Sequence, residues 1–393
     1  MKITYITTKA ASLKSGSEVR NYHLLKSLLS SPKVSEVSLI YIHYDAHVAD
    51  IEVKSSKLNT FVFQLPKRNV FKSIAAYAWG EAPYISHLIH HPFIDEVIEI
   101  LSGSDELVIS ELDGYFVAKK AIQRSSFNNP IIFDCHNVDH MRFSSEISLG
   151  SSMKQALGKR LIENIKKHEI EALNTSTKVL ACSKIDEAIF ANFVPKEKIK
   201  VIPNGASLSK ANVAEIKSHN ILFMGLLSYQ PNSDGLAYYL NEVHPKILKE
   251  CPDAVVNILG RNPPDWLVQK SSTDSSIKVL GFVENLSEVF DQSFVCICPL
   301  RYGSGTRLKV LEYMAAGKPV VSTTIGAEGI DITDKKNILI ADRPDDFARS
   351  VLNLMADDEV AFKIGSEARK LIQQHYDWEK IGDQFVKIVS DSK

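Results

Sequence analysis

Short runs of β-branched and other apolar residues alternate with longer amphipathic stretches along the chain. This alternation is typical of parallel sheets joined by crossover helices and favours an α/β fold over an all-β one. The stretch Glu18–Ser30, with apolar residues three and four apart, exemplifies the helices. The runs predicted as strands are Lys2–Thr7, Val37–His43, Thr60–Leu65, Glu106–Ser110, Pro130–Cys135, Val179–Ser183, Asn220–Gly225, Ala254–Gly260, Ile277–Phe282, Phe294–Leu300, Pro319–Thr323 and Asn337–Ala341.

The length of the chain, 393 residues, exceeds what one hydrophobic core ordinarily organises, so we expect two domains with a cleft between them. The run Val201–Gly205 ends a strand in turn residues, and the polar segment Ser207–His219 follows it. The domain boundary is therefore predicted there, with one Rossmann-like domain over residues 1–204 and a second beginning at residue 205.

The charge balance predicts no affinity for nucleic acid. The chain has 46 basic and 47 acidic residues, so no global field attracts a polyanion. No apolar stretch reaches the roughly 18 residues of a transmembrane helix, and no signal peptide is evident, which predicts a cytoplasmic protein. The basic stretch Gly150–Leu173 is predicted as a solvated helix face, with a peripheral contact at the inner face of a membrane as the alternative.

The cysteines are five, an odd number, and lack the paired spacing of a zinc site, so we expect reduced thiols. They are Cys135, Cys182, Cys251, Cys296 and Cys298. Cys296 and Cys298 stand two apart in the apolar run Phe294–Leu300. This spacing predicts that both thiols pack on one face of a buried strand.

The segment Pro299–Pro319 reads as the end of a strand, a glycine-rich loop, a helix and the start of another strand. Gly303 and Gly305 permit positive φ and close approach to the backbone, and the helix turns free N–H groups toward the loop. Together these features predict a diphosphate site. The loop residues predicted to bind it are Gly303, Ser304, Gly305 and Thr306.

Basic side chains surround the same loop. Arg301, Arg307 and Lys309 would hold phosphate oxygens and stabilise a departing nucleotide diphosphate. Glu312 lies about 60° from Lys309 around the helix and is a suitable acceptor for a ribose diol. The alternative is an ordinary glycine turn with surface charges. The dinucleotide fingerprint does not fit, because Leu308 stands where its third glycine belongs.

This segment resembles the donor site of retaining glycosyltransferases with the GT-B fold. Those enzymes often carry two glutamates eight residues apart; Glu312 matches the second, whereas Ser304 stands in the place of the first. The chain resembles a branch with a G-S-G-T-R-x-K-x-L-E loop, in which backbone amides and basic residues hold the donor. Further matches lie at Gly225 with Gln230–Asn232, Gly260–Arg261, Gly281–Val283, Gly326–Gly329 and Trp378–Glu379.

The resemblance implies that Phe282 and Val283 border the base and that Arg261 lies near the diphosphate. It also implies that the second domain spans residues 205–370 and that residues 371–393 return to the first domain as a helix. The expected partners are a nucleotide-sugar donor and a sugar or glycolipid acceptor, in glycan or glycoconjugate synthesis. The expected reaction transfers a sugar to a hydroxyl with retention of configuration, and it uses no metal or other cofactor.

Two features of the first half match the family more loosely. Gly16, in the first strand-to-helix loop, would allow close approach of a sugar or phosphate, with an ordinary helix cap as the alternative. His136 follows a predicted strand and would face the transferred sugar, with a packed strand-end histidine as the alternative. Glu111 also follows a strand but is not predicted as a catalytic base, and His136 with His140 is not predicted to bind metal.

Two other functions stay open at this point. A nucleotide-sugar epimerase of related fold would need acid and base groups around the sugar, and Ser304 supplies neither. A nucleotide-sugar-binding protein without turnover is the second alternative, suggested by the same departure from the family pattern.

Overall fold

The computed structural model describes residues 1–14, 16–43, 51–65, 83–148, 152–208, 218–283, 285–303 and 305–391. The chain forms two compact units. Unit 1 comprises Met1–Asn204 together with Glu379–Lys393, and unit 2 comprises Gly205–Trp378.

Unit 1 contains a seven-stranded sheet in which all neighbouring strands are parallel. Its strands are β1 (Lys2–Thr7), β2 (Glu36–His43), β3 (Leu58–Gln64), β4 (Glu106–Ser110), β5 (Ile131–Asp134), β6 (Lys178–Ala181) and β7 (Ile199–Val201). They are arranged in the order β3-β2-β1-β4-β5-β6-β7. The six strands predicted for this half are confirmed, with ends that differ by at most two residues, and β7 was not among the predicted runs.

The helices described in unit 1 connect these strands. They are α1 (Gly16–Ser30), α2 (Pro83–Ile89), α3 (Ile94–Ser102), α4 (Glu111–Arg124), α5 (Asp139–Ser148), α6 (Ser152–Thr175) and α7 (Lys184–Phe190). The last helix of the chain, α15 (Trp378–Ser390), belongs to unit 1 from Glu379 onward. It packs closely on α1, because a Cβ atom at Gly382 would overlap the side chain of Ser27.

Unit 2 contains a six-stranded sheet, also parallel throughout. Its strands are β8 (Asn220–Met224), β9 (Val255–Leu259), β10 (Ile277–Gly281), β11 (Val295–Cys298), β12 (Val320–Ser322) and β13 (Leu339–Ile340), in the order β10-β9-β8-β11-β12-β13. Its helices are α8 (Gln230–Tyr238), α9 (His244–Glu250), α10 (Asp265–Thr273), α11 (Leu286–Gln292), α12 (Leu308–Ala315), α13 (Pro344–Ala356) and α14 (Asp358–Leu371).

The central strands are buried on both faces, as a parallel sheet covered by helices requires. In β8, Ile221 and Phe223 belong to one apolar cluster and Leu222 and Met224 to another, so successive side chains enter opposite faces of the sheet. The prediction for Cys296 and Cys298 is confirmed, since both are fully buried in one of these clusters. All five cysteines are free and buried.

The strand orders place a topological switch point in each sheet. In unit 1 the chain leaves β1 toward β2 and leaves β4 toward β5, so loops run in opposite directions from these two neighbours. In unit 2 the same reversal separates β8 and β11. Open α/β sheets bind ligands at the carboxyl ends of the strands at such a point. None of the helices in the described ranges is both long and apolar enough to cross a membrane.

Candidate active site

The glycine loop predicted from sequence follows β11, one of the two strands at the switch point of unit 2. Gly303 and Gly305 have φ values of 116° and 83°, which confirms the positive φ expected of them. The loop leads into α12, and Arg307, the residue before its first turn, makes no side-chain capping bond. The amino-terminal end of α12 therefore lacks a side-chain cap of its own, as an anion-binding helix end requires.

Two other residues of the loop were predicted to bind the donor. Ser304 lies outside the described residues. The hydroxyl of Thr306 is buried and has no hydrogen-bond partner among the residues that the structure describes. An unsatisfied buried hydroxyl is uncommon in a folded protein.

Arg307 folds back over the loop. Its Nη1 donates a hydrogen bond to the carbonyl oxygen of Gly305 at 2.8 Å. A Cβ atom at Gly303 would lie 3.1 Å from Arg307 Nη2, so this glycine gives room to the guanidinium. The structure thus brings the loop glycines and one of the predicted cations together.

Lys309 lies at the switch point itself. Its Nζ donates to Asn232 Oδ1 at 2.7 Å and lies 4.1 Å from the centroid of the Phe223 ring. A Cβ atom at Gly225, directly after β8, would lie 2.8 Å from that ammonium group. Burial, assisted by the charge of Arg307, lowers the pKa of Lys309 to about 8. A cation with a depressed pKa is one that gains from an added anion.

Glu312 lies one turn further along α12. Burial raises the pKa of its carboxyl to about 7, although the charge of Lys309 acts in the opposite direction. The carboxyl is therefore close to half ionised at neutral pH. α12 thus carries a lysine with a lowered pKa and a glutamate with a raised pKa within four residues of each other.

Arg301 is held differently from the other two cations. Its Nε and Nη2 donate to the carboxylate of Asp234 on α8 at 2.9 and 2.6 Å, and its guanidinium lies 5.2 Å from the Tyr238 ring. Its side chain is 47% exposed. Arg301 was predicted to bind phosphate together with Arg307 and Lys309, whereas in the structure its charge is paired with the Asp234 carboxylate of α8.

Arg261, expected near the diphosphate, and Phe282 and Val283, expected to border the base, follow the strands β9 and β10. Arg261 follows β9 and Phe282 follows β10; the guanidinium carbon lies 3.9 Å from the centroid of the aromatic ring. Phe282 is 54% exposed, which is unusual for a large apolar side chain. Val283, by contrast, packs against a core cluster. Arg261 and Phe282 therefore form an exposed flat surface at the carboxyl edge of the sheet.

In unit 1 the predicted residues lie at the carboxyl edge of the sheet, around its switch point. Gly16 begins α1 after β1, and the hydroxyl of its neighbour Ser17 donates to Glu111, the first residue of α4 after β4. His136 follows β5, and its Nδ1 lies 3.0 Å from Glu111 Oε1. The structure thus places Gly16 and His136 in one neighbourhood.

Both ring nitrogens of His136 lie close to carboxylates of unit 1. Nδ1 pairs with Glu111, and Nε2 lies 3.1 Å from Asp134 Oδ2 and 3.1 Å from Ser110 Oγ. Burial disfavours the charged ring, but the carboxylates of Glu111 and Asp134 outweigh it and raise the pKa of His136 to about 9. The ring is therefore an imidazolium at neutral pH. Nδ1 is buried and, beside its ion pair with Glu111, has no hydrogen-bond partner among the described residues, so the contact of His136 with a sugar stays a prediction.

A buried arginine completes this group. Arg20 is fully buried on α1; its Nε lies 3.1 and 3.0 Å from the two oxygens of Asp134, and its Nη2 donates to Oδ1 at 2.6 Å. Its Nη1 donates to the carbonyl of Pro203 and to Asn204 Oδ1. Two positive and two negative side chains, those of Arg20, His136, Asp134 and Glu111, thus form one buried network, which we call the unit 1 charge network.

Sequence reasoning missed Arg20 and Asp134 as partners and set Glu111 aside. One signal for Arg20 was present, since it precedes Leu24 and Leu28 by four and eight residues and so lies on the buried face of its helix. A charge on that face requires a buried partner. The sequence carries no signal for the left-handed backbone of Glu111, whose φ is 62°.

One group in the described part of the chain has the composition of a metal site. Ligand atoms of His219, Cys251 and Asp253 lie within 4.8 Å of one another. These residues lie before β8 and β9, at the amino edge of the sheet and opposite the glycine loop. His140, considered with His136 at the sequence level, pairs instead with Glu169.

Known proteins resemble this chain in sequence and in fold. Residues 218–357 match the family model described as "Glycosyl transferases group 1". A Klebsiella pneumoniae protein, named an uncharacterized 44.6 kDa protein in the cps region, is 30% identical over 180 residues, which are 44% of this chain and 46% of the relative. The chain thus spans about half the length of this relative.

Solved structures match nearly the whole chain. Sucrose-phosphate synthase from Thermosynechococcus elongatus has a TM-score of 0.73 at 16% identity and covers 98% of both chains. Anabaena HepE in complex with UDP-glucose has a TM-score of 0.68 at 14% identity and covers 99% of both chains. At these identities the likeness shows the fold. The chain therefore has the GT-B fold, and its residues 218–357 carry the sequence pattern of the group 1 glycosyl transferases.

Proposed function

We propose that this protein is a glycosyltransferase that takes a nucleotide-diphosphate sugar as donor and transfers the sugar to a hydroxyl acceptor with retention of configuration. The donor nucleotide binds at the switch point of unit 2. The observation that carries the proposal is the combination of an uncapped helix end, glycines with positive φ, and two cations, Arg307 and Lys309, around one loop.

The pyrophosphate lies at the amino-terminal end of α12, where backbone N–H groups and the helix dipole favour negative charge. Lys309 then gains the anion that its buried position lacks, and Arg307 covers the other side of the loop. Arg301, already neutralised by Asp234, contributes to the shape of the loop and less to its charge.

The other residues of the site are proposed to bind the nucleoside. Glu312 accepts hydrogen bonds from the ribose hydroxyls, and this acceptor is strongest when its carboxyl is ionised. The base lies against the exposed surface of Phe282, whose ring is held by Arg261. The complex of Anabaena HepE with UDP-glucose supports a UDP-sugar as the first donor to test.

In the proposed reaction the bond between the anomeric carbon and the diphosphate oxygen breaks. The acceptor oxygen forms a bond to the same carbon, on the face from which the diphosphate leaves. The proton of the acceptor hydroxyl passes to the departing phosphate. Positive charge on Arg307 and Lys309 stabilises the developing diphosphate, which is the role a divalent ion has in other transferases. We therefore propose that transfer is independent of added metal.

The direct test is transfer from UDP-glucose and other nucleotide sugars to a library of sugar and glycolipid acceptors, with release of UDP as readout. We expect release that depends on acceptor, survives EDTA, and gives a product whose anomeric configuration by NMR is that of the donor. Donor incubated alone should yield no epimer. Binding of donor without nucleotide release across the library would instead favour a binding protein, and loss of activity in EDTA would contradict the metal-independent mechanism.

A further inference from the structure

The unit 1 charge network contains a residue with a strained backbone. Glu111 directly follows β4, at the switch point of sheet 1, and has a φ of 62°. This left-handed conformation costs a residue with a Cβ atom about 1 kcal/mol or more. A glycine or asparagine would adopt it more easily. The residue with this strain thus lies at the carboxyl end of a switch-point strand, where open α/β sheets bind ligands.

The exposure of the network differs sharply among its members. The side chains of Arg20, Asp134 and His136 are 1%, 0% and 4% exposed, whereas that of Glu111 is 14% exposed. The side chain of Glu111 is therefore the most exposed of the four. His136 is buried beside it: Nε2 lies 3.1 Å from Asp134 Oδ2, and Nδ1 is buried 3.0 Å from Glu111 Oε1.

The carboxylate of Glu111 is fixed and ionised. Burial favours the neutral form, but His136, Lys9 and the hydroxyl of Ser17 stabilise the anion and lower the pKa of Glu111 to about 2. Nδ1 of His136 lies 3.0 Å from its Oε1 as an ion-pair partner, and the hydroxyl of Ser17 donates a hydrogen bond to it. An ionised carboxylate accepts about four hydrogen bonds, so it retains capacity for more. It is suited to hydroxyl donors and repels phosphate.

From these observations we propose that Glu111, and not His136, is the side chain of unit 1 that contacts the substrate, by accepting a hydrogen bond from a sugar hydroxyl. His136 is a positioning residue that holds the Glu111 carboxylate from behind, and Asp134 with Arg20 anchors His136. The inference rests on the proposed function, and it names the chemistry of the sugar contact, which belongs to either the donor or the acceptor sugar.

The test couples a substitution in the protein to the loss of one hydroxyl in the substrate. Glu111→Gln is measured with UDP-glucose, with its 2-, 3-, 4- and 6-deoxy analogues, and with the matching deoxy acceptors. In the wild type, one analogue should lose about 10- to 100-fold in kcat/KM, as expected for a hydrogen bond to a charged group. In Glu111→Gln that penalty should shrink to a few-fold, because its partner is already weakened. The analogue affected identifies whether the hydroxyl belongs to donor or acceptor.

Several controls separate this role from a structural one. Asp113→Asn, in the same first turn of α4, should leave kcat/KM and the deoxy penalty unchanged. UDP should bind Glu111→Gln as tightly as it binds the wild type, because the nucleotide site lies in unit 2. If Glu111→Gln folds poorly, Glu111→Asp is the second variant. It keeps the charge but moves the carboxylate oxygens away from the sugar hydroxyl, so the deoxy penalty in kcat/KM should shrink in this variant too. The histidine ring resonances of Glu111→Asp should still report a charged His136 at pH 7.

The outcomes are distinguishable. An unchanged deoxy penalty in Glu111→Gln overturns the assignment, and so does a penalty that disappears only in His136→Gln. Wild-type protein that neither binds UDP-glucose nor releases UDP refutes the proposed function itself, and the sugar contact is refuted with it.

Discussion

The two switch points of the molecule handle charge in opposite ways. Around sheet 1, two cations and two carboxylates pair within the unit 1 charge network, so the group is neutral before any ligand arrives. Around sheet 2, the ammonium group of Lys309 donates a hydrogen bond to the amide of Asn232, and burial, assisted by the charge of Arg307, lowers its pKa. The first edge is suited to orient an uncharged group, and the second to receive an anion.

Removing the cations of unit 2 should have the largest effect on this contrast. Lys309→Ala and Arg307→Ala should each weaken UDP binding by roughly 100-fold, since each removes a charge-assisted bond to phosphate. Isothermal titration calorimetry measures the effect. Arg301→Ala is the matched control and should weaken UDP by less than about 5-fold, because its charge is paired with Asp234. Equal losses of UDP affinity in all three variants would contradict the claim that Arg307 and Lys309 bind the phosphates more strongly than Arg301 does.

The charged His136 ring in the unit 1 charge network predicts that the free energy of unfolding depends on pH. The pKa of His136 is about 9 in the folded protein, against about 6.5 in the unfolded chain. Its stabilisation is therefore complete below pH 6.5 and disappears as the pH rises through 9. By linkage the effect is at most about 3 kcal/mol.

Urea unfolding of wild type and His136→Gln between pH 6 and 10 measures this directly. The difference in unfolding free energy between the two proteins should shrink steadily over that interval. A constant difference would mean that His136 is not charged in the folded protein.

A smaller effect is expected at Glu312, where the pKa is raised to about 7. Ribose hydroxyls bind best to the ionised form, so the affinity for UDP relative to pyrophosphate should fall by a few-fold between pH 8 and pH 6. Glu312→Gln should abolish this pH dependence and weaken UDP about 10-fold at pH 8, with pyrophosphate binding little changed. A pH dependence that persists in the variant would assign it to another group, such as Lys309.

The sheets were predictable because buried parallel strands are continuous apolar runs. β1 and β4 have the bounds read from the sequence, and β11 is shorter than its apolar run by one residue at the start and two at the end. The positive φ of Gly303 and Gly305 was predictable as well, because a glycine pair between a strand and a helix has few other uses.

The partners of the charged residues were not predictable from the same sequence. Arg20 pairs with Asp134 at a separation of 114 residues, and Arg301 with Asp234 at a separation of 67. No local pattern encodes such pairs, because they depend on strand order and on how helices pack over the sheet. The surroundings of His136 were not predictable for the same reason: only the fold shows that its two nitrogens lie beside the carboxylates of Glu111 and Asp134.

The central claim is that the loop between β11 and α12 binds the diphosphate of a nucleotide. An experimental structure with UDP bound tests it most directly. We predict that the pyrophosphate contacts the backbone N–H groups at the start of α12 and the side chains of Arg307 and Lys309. UDP bound elsewhere in the molecule, or absent from that loop at saturating concentration, would contradict the account.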